Sequence, residues 1–300
     1  MKSSTISGLL TVFLKELADI FTSWRGIILF LIVFAVGIFA IVDVAQYIRQ
    51  AVVEAQFIFL RLFTISGQTF SLPLFILFIV FVIPIVGIIL GFDTINSERN
   101  NGTMSRLLSQ PIYRDSVING KFLAGVVTIA IMLTSLVMLV AGIGLRIIGI
   151  PPTSEEAVRL MSFLIISIVY GAFWLGVAML FSIFFRRVAT SVLASIAVWL
   201  FGIFLFVFPS LVQLGQERFG LMIMHVSPMT LFGQVVTILL VPEARTTLGQ
   251  IGQSLVPTSA LSVGQSLLTI WPYLMSLVML TVVCFAISYI KFMRTEIRST

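Results

Sequence analysis

Six apolar runs limit what this chain can fold into. They lie at about residues 26–42, 71–92, 121–145, 161–185, 188–211 and 268–290. A helix needs about 20 apolar residues to cross the hydrocarbon core of a bilayer. Lipid offers no partner to a free backbone N–H or C=O, so helices that satisfy themselves are what such runs can form. Composition agrees. Of 300 residues, 59% are hydrophobic and 10% charged, with a mean hydropathy of +1.15, whereas a soluble domain carries about 25% charge. Too few polar residues remain to clothe a soluble body of this size. We read residues 1–300 as one all-α membrane domain with six spans.

The charges orient those spans. With six crossings, one face holds Lys2, Lys15, Arg25, Arg99, Arg106, Arg114, Lys121, Arg186, Arg187, Lys291, Arg294 and Arg298, 12 of the 18 basic residues. The other holds Arg49, Arg61, Arg146, Arg159, Arg218 and Arg245, while the 12 acidic residues divide evenly. Loops rich in Lys and Arg stay in the cytoplasm. Both termini, the loop at 93–120 and the Arg186-Arg187 turn are therefore expected there, in a cell or inner membrane. The net charge of +6 thus speaks for membrane lipids as partners and not for nucleic acid. The N-terminus does not read as a cleavable signal, because Lys15, Glu16 and Asp19 interrupt its apolar stretch.

Two segments are expected not to cross. Residues 5–24 carry Ile6, Leu9, Leu10, Phe13, Leu14, Leu17, Phe21 and Trp24 at helical spacing, with Lys15, Glu16 and Asp19 off that stripe. That pattern predicts an amphipathic helix in the cytoplasmic interface, entering the first span past Arg25. Residues 219–241 are free of full charges but contain His225, Ser227-Pro228 and Gly233-Gln234. A seventh crossing there would place the basic C-terminal tail outside. The segment is expected to be re-entrant or interfacial, within an extracytoplasmic region spanning 212–267. Glycines 37, 87, 125, 142, 171 and 176 offer positions for close helix approach.

The polar insert "SERNNGTMSRLLSQPIYRDSVINGK" at 97–121 stands out between two of the runs. Gly102 permits a sharp turn, Thr103 is placed to cap a short helix, and Pro111 ends it. Met104, Leu107 and Leu108 form a small apolar knob on that helix, and Asp115 or Ser116 is placed to cap the third span. Two readings fit: a loop whose charges fix topology, or a helix that enters a groove on a soluble partner.

The same residues resemble the first cytoplasmic loop of the ABC-2 type permeases, the membrane subunits of type V ABC transporters. The shared pattern is Glu98, Gly102-Thr103, Leu107-Leu108, Pro111, Arg114 and Gly120-Lys121. "FLKELADIFTSWR" is similar to the family's elbow helix, "FSIFFRRVATSVLAS" to its turn between the fourth and fifth spans, and "HVSPMTLF" to the stretch before its last span. The resemblance implies that the loop forms a coupling helix docked on a separate ATP-binding subunit. Two such subunits would pair with two permease chains, identical or paralogous. Met104, Leu107 and Leu108 would make the apolar contact, with Glu98, Arg99 and Arg106 at its rim and Gly102, Thr103, Pro111 and Arg114 shaping it. Phe13, Lys15, Glu16, Leu17, Trp24 and Arg25 would belong to the elbow helix. Asn100-Asn101 depart from the acidic or glycine residues more usual before Gly102.

No phosphate-cradling G-x-x-x-x-G-K-[ST] loop occurs, since Gly120-Lys121 is followed by Phe122 and Asp115 stands where the first glycine belongs. ATP and magnesium are accordingly expected on the partner subunit, with no cofactor, metal or catalytic residue in this chain. Its one histidine leaves no metal-ligand pair. No charge lies near the middle of a span, which speaks against an ion pump. A lipid, a hydrophobic drug or a peptide suits such spans as cargo. A membrane subunit of an assembly or maturation complex, for metal sites or motility, is the other function the resemblance allows.

Overall fold

A computed structural model describes residues 2–51, 57–64, 74–103, 113–211, 227–241 and 261–294. Among the described residues every regular element is a helix: α1 (Lys2–Thr22), α2 (Trp24–Ala51), α3 (Ile58–Thr64), α4 (Leu74–Gly91), α5 (Asn96–Asn100), α6 (Arg114–Ile148), α7 (Ser154–Phe184), α8 (Val188–Leu211), α9 (Pro228–Leu240) and α10 (Val263–Arg294). Six of them, α2, α4, α6, α7, α8 and α10, are long and apolar enough to cross a membrane. The knob residues Met104, Leu107 and Leu108, with Arg106 and Pro111, lie outside the described residues, as does His225.

Helix α7 is the central post. Its most apolar stretch is 78% buried, against 17% for α8 and 11% for α10. It packs on α4, α6, α8, α9 and α10, and the outer faces of α8 and α10 present Leu200, Phe201, Leu268 and Met279, suited to lipid contact. The tightest contact is α4 on α7. A Cβ on Gly87 would stand 2.9 Å from the Leu175 nitrogen and 3.0 Å from the Gly171 oxygen; one on Gly91 would meet the Leu175 oxygen at 2.9 Å. The two backbones touch because position 87 and, one turn later, position 91 carry no side chain. Of the six glycines singled out in the sequence, 87 and 171 sit at this contact, 37 and 125 face the side chains of Leu136 and Leu175, 142 meets nothing within 4 Å and 176 only ordinary neighbours. A small residue marks where helices can touch, and only the partner helix decides whether they do.

Pro84 lies inside α4. Proline has no N–H, so it leaves the carbonyl four residues earlier without a helix partner. That carbonyl is Val80 O, and the buried Tyr170 of α7 donates its hydroxyl to it at 3.1 Å. The freed group is satisfied by a neighbouring span, as lipid requires. The other face of Tyr170 stacks on Phe232 of α9, with centroids 4.1 Å apart and planes within 3°.

Helix α9 resolves the expectation for 219–241 over its described part. Its 13 residues reach about 20 Å, too little to cross. Met229, Phe232, Val235, Val236 and Leu239 are each fully buried, so the helix lies inside the bundle and not on its surface. Two local expectations change. Neither Asp115 nor Ser116 caps the third span: α6 starts at Arg114, its N-cap is Tyr113 without a side-chain bond, and Asp115 instead accepts from the Ser116 N–H within the first turn. The helix also begins seven positions before the apolar run at 121, because the run marks lipid depth and not where helical hydrogen bonding begins.

Candidate functional site

The sequence motif Gly120-Lys121 occupies the first turns of α6, where it meets α1. A Cβ on Gly120 would lie 3.0 Å from Val12 Cγ1 and 3.3 Å from the Leu9 oxygen; the bare backbone is what lets α1 lie against α6. Lys121 then sits beneath α1 with its side chain 2% exposed. Burying an ammonium is costly unless it is paired. Its Nζ donates to Glu16 Oε1 at 2.8 Å and to Glu98 Oε1 at 2.8 Å. One buried cation thus ties three elements: the N-terminal helix, the loop after the second span, and the third span.

Lys15 borders the same node, with Nζ 3.0 Å from Glu16 Oε1, 3.2 Å from Asp19 Oδ2 and 3.7 Å from Glu98 Oε1. Burial works against the charged form of Glu16, but Lys121 and Lys15 outweigh it and hold the carboxyl below its ordinary pKa. Burial likewise opposes the Lys15 ammonium, yet Glu16 and Glu98 keep its pKa above the usual lysine value. A second ion pair stands beside the first. Arg25, at the start of α2, donates both terminal nitrogens to Asp93 Oδ2 at 2.6 and 2.8 Å and lies over the Phe92 ring.

The loop that carries Glu98 is stapled to the central post. Ser182 Oγ of α7 accepts from the Ile95 and Asn96 N–H groups at 3.0 and 3.2 Å, which satisfies the orphan donors at the start of α5. Ser191 of α8 donates to the Phe92 oxygen, and Asn100 Nδ2 donates to the Arg186 oxygen in the turn between α7 and α8. Even so, Asn96 Oδ1, Glu98 Oε2 and Arg99 Nη2 are buried with no hydrogen-bond partner among the described residues. Such groups are uncommon in a settled structure, and three of them fall within four consecutive residues.

Of the residues singled out in the sequence, Glu98, Lys15, Glu16 and Arg25 come together here. Gly102 takes the left-handed φ of 69°, and Thr103 donates its hydroxyl to the Glu98 oxygen. Arg114 opens α6. Phe13 and Leu17 are half-buried, and Trp24 is 79% exposed. Lys121 stood in the motif only as the start of the next helix, and Asp93, Ser182 and Ser191 were not singled out. A lysine at the threshold of an apolar run, one residue after a glycine, was the available signal.

The opposite end of the bundle has its own polar centre. In the first turn of α7, Glu156 closes a capping box with Thr153 and is 2% exposed. Its Oε1 accepts from the Phe59 N–H at 2.7 Å and from the Leu60 N–H at 3.4 Å at the start of α3. Arg159, fully buried, donates to the Leu239 oxygen at the end of α9, to the Leu261 oxygen and to Ser266 before and within α10, and to Glu155.

Six spans, a polar loop joined through Glu98 to an amphipathic N-terminal helix, and a buried half-length helix between the last two spans form one architecture. The profile of the ABC-2 family transporter proteins matches residues 10–297 of it. No curated protein sequence matches the chain. The family match covers every described span, and this chain belongs to the ABC-2 transporter family, as a multi-pass permease and membrane subunit of an ABC transporter that works with an ABC ATPase subunit.

Proposed function

We propose that this chain is the permease of an ATP-driven exporter in the cell membrane. In this reading both termini are cytoplasmic, and two permease chains assemble with two ATP-binding subunits. The loop at 93–120 is the point where each ATPase acts. The observation that carries the reading is the Lys121 node. A push on the segment after Glu98 reaches α1 through Glu16, the third span through Lys121, and the central post through Ser182. The polar atoms of Asn96, Glu98 and Arg99 that find no partner among the described residues suit a loop that settles fully only when docked. Met104, Leu107 and Leu108 supply the apolar contact, with Arg106 at its rim.

The cargo that suits these spans is a lipid, a lipid-linked compound, a hydrophobic drug or a peptide. Among the described residues the charged side chains gather at the two ends of the bundle, so the middle offers apolar walls and small-residue seams.

The test is co-purification. Tagged full-length chain, co-expressed with the ABC ATPases of its own genome, is expected to retain one in mild detergent at equal stoichiometry. The double substitution Leu107→Asp, Leu108→Asp is expected to lose it while the six-span chain still elutes as a single species. Retention of the ATPase by that variant would show that the loop serves topology alone.

A further inference from the structure

Between the end of α7 at Phe184 and the start of α8 at Val188 stand only Phe185, Arg186 and Arg187. Two guanidinium groups thus close off the most buried span of the bundle, and both residues are exposed. We propose that this turn, with the adjoining end of α10, is a contact surface for an anionic phospholipid. Arg186 and Arg187 take its phosphate, and the exposed side chains of Phe184 and Ile290 border its acyl chains. The contact holds whether or not the chain exports a cargo.

Depth supports this ligand first. From Arg159 to Phe184, α7 rises about 38 Å, and a bilayer with its headgroup layers is about 40–45 Å thick. Arg159 belongs to the polar centre at the far end of the bundle, so the turn falls at the opposite headgroup layer. A connection of three residues holds its side chains at that level.

Charge supports it next. Between Glu156 and Glu217, and again from Val263 through Arg294, the sequence has no acidic residue. The end of α7, the start of α8 and the end of α10 therefore bring Arg186, Arg187, Lys291 and Arg294 to this corner with no carboxylate of their own. The carboxylates of the nearby node pair with Lys15, Arg25 and Lys121, and among the described residues no ion pair reaches Arg186 or Arg187. Asn100 donates to the Arg186 oxygen at 3.0 Å, which sets Arg99, one more cation, beside the turn. An arginine fork matches two phosphate oxygens at once, and basic clusters next to a membrane attract anionic lipid.

The apolar neighbours separate a lipid from an acidic protein surface. Lys291 Nζ lies 5.3 Å above the Phe184 ring, which seats the end of α10 against the end of α7. Phe184 and Ile290 are each 51% exposed, and each lies one step nearer the middle of its span than the cations that follow it. Charge outermost with open apolar side chains beneath is the order of groups in a phospholipid. An acidic protein surface would answer the cations alone.

The experiment is native mass spectrometry of the intact chain in mild detergent with an equal mixture of phosphatidylglycerol and phosphatidylethanolamine of the same acyl chains. Bound phosphatidylglycerol is expected to be in excess. One basic residue near an anionic surface multiplies binding about fivefold, so Arg186→Gln with Arg187→Gln is expected to lower that preference about twenty-fivefold. Lys2→Gln with Arg298→Gln removes the same charge from the two ends of the chain and is expected to leave the preference within about twofold. Should the double arginine variant fail to elute as one species, Arg187→Gln alone decides, with an expected loss of about fivefold. Equal binding of the two lipids by the unsubstituted chain overturns the proposal. So does an equal loss in both double variants, which would make net charge the cause. A double arginine variant that keeps its lipid preference but loses a co-purified ATPase would give the turn to an acidic protein surface and overturn the lipid assignment. Displacement of the lipid by an equal concentration of glycerol phosphate, the head without chains, would assign the turn to a soluble phosphate and overturn it likewise.

Discussion

The two ends of this bundle both bury charge, and they use it differently. At the end that holds the loop, Lys121 is surrounded by other side chains: Glu16 from α1 and Glu98 from α5. At the other end, Glu156 and Arg159 address mainly backbone, the free N–H groups that open α3 and the free carbonyls at the end of α9 and before α10. Backbone caps fix a helix end in one place, since the groups they satisfy have no other partner in lipid. Ion pairs between side chains can exchange partners, and Lys15 stands ready within 3.7 Å of Glu98. One end fixes its helices through backbone groups, and the other ties three elements through side chains.

Substitutions at the two centres test that contrast. Arg159→Met leaves the Leu239 and Leu261 carbonyls without their donor in a dry site, and is expected to cost about 3–5 kcal/mol of stability in thermal unfolding in detergent. Hydrogen exchange should rise in α9 and at the start of α10 and stay unchanged in α1. Lys121→Met leaves two carboxylates facing each other with only Lys15 between them, and is expected to cost about 2–3 kcal/mol. Here exchange should rise in α1 and leave α3 and α9 alone. If either variant loosens both ends, the centres act as one network and the contrast fails.

Much of this architecture is written in the sequence because lipid leaves few options. Six runs gave six spans, and the exclusion of 219–241 from the count rested on residues that hydrocarbon does not tolerate on a helix facing it. What lies at the ends was harder to see. The spacing Thr153-x-x-Glu156 is a capping-box pattern visible to the eye, but its second use, as acceptor for α3 nearly a hundred positions earlier, depends on which spans become neighbours. Arg159 reads as a charge beyond a span, and its burial follows from α9 folding inward, which no local pattern declares. At the candidate site, Glu98, Lys15 and Glu16 were marked through resemblance, whereas their meeting at Lys121 depends on how α1 lies across Gly120. The pairing of Pro84 with Tyr170 is similar: a proline tells that Val80 O is free, and only packing tells who takes it.

The seam between the ends is expected to be stiff, and this bounds how the two can communicate. Gly87→Ala places a methyl against the backbone of α7, with no flexible neighbour to give way, and should cost about 2 kcal/mol. Gly142→Ala, which meets nothing within 4 Å, should be neutral or stabilising by up to about 1 kcal/mol through helix propensity. Equal effects of the two in thermal unfolding would mean that α4 and α7 can slide apart, and that motion at the loop need not travel along the central post.

Acid gives the smallest and most local effect. Glu16 is held below its ordinary value of 4.5, so its contribution is complete above that value and is lost as pH falls through the lower folded-state value. Lys15 is held above its ordinary 10.5, so its contribution is complete below that value and is lost as pH rises through the folded-state value. Between these limits the node keeps its charges. Glu16→Gln removes the acid-sensitive part, on the order of 1 kcal/mol, because desolvation offsets much of what Lys121 and Lys15 supply. The stability difference between the unsubstituted chain and Glu16→Gln is therefore expected to be constant near neutral pH and to close below pH 4.5. If it stays open in acid, the charge of Glu16 is not what holds α1 in place. The packing of Val12 on Gly120 would then be the true contact, and both ends of the molecule would be fixed by fit instead of one by fit and one by charge.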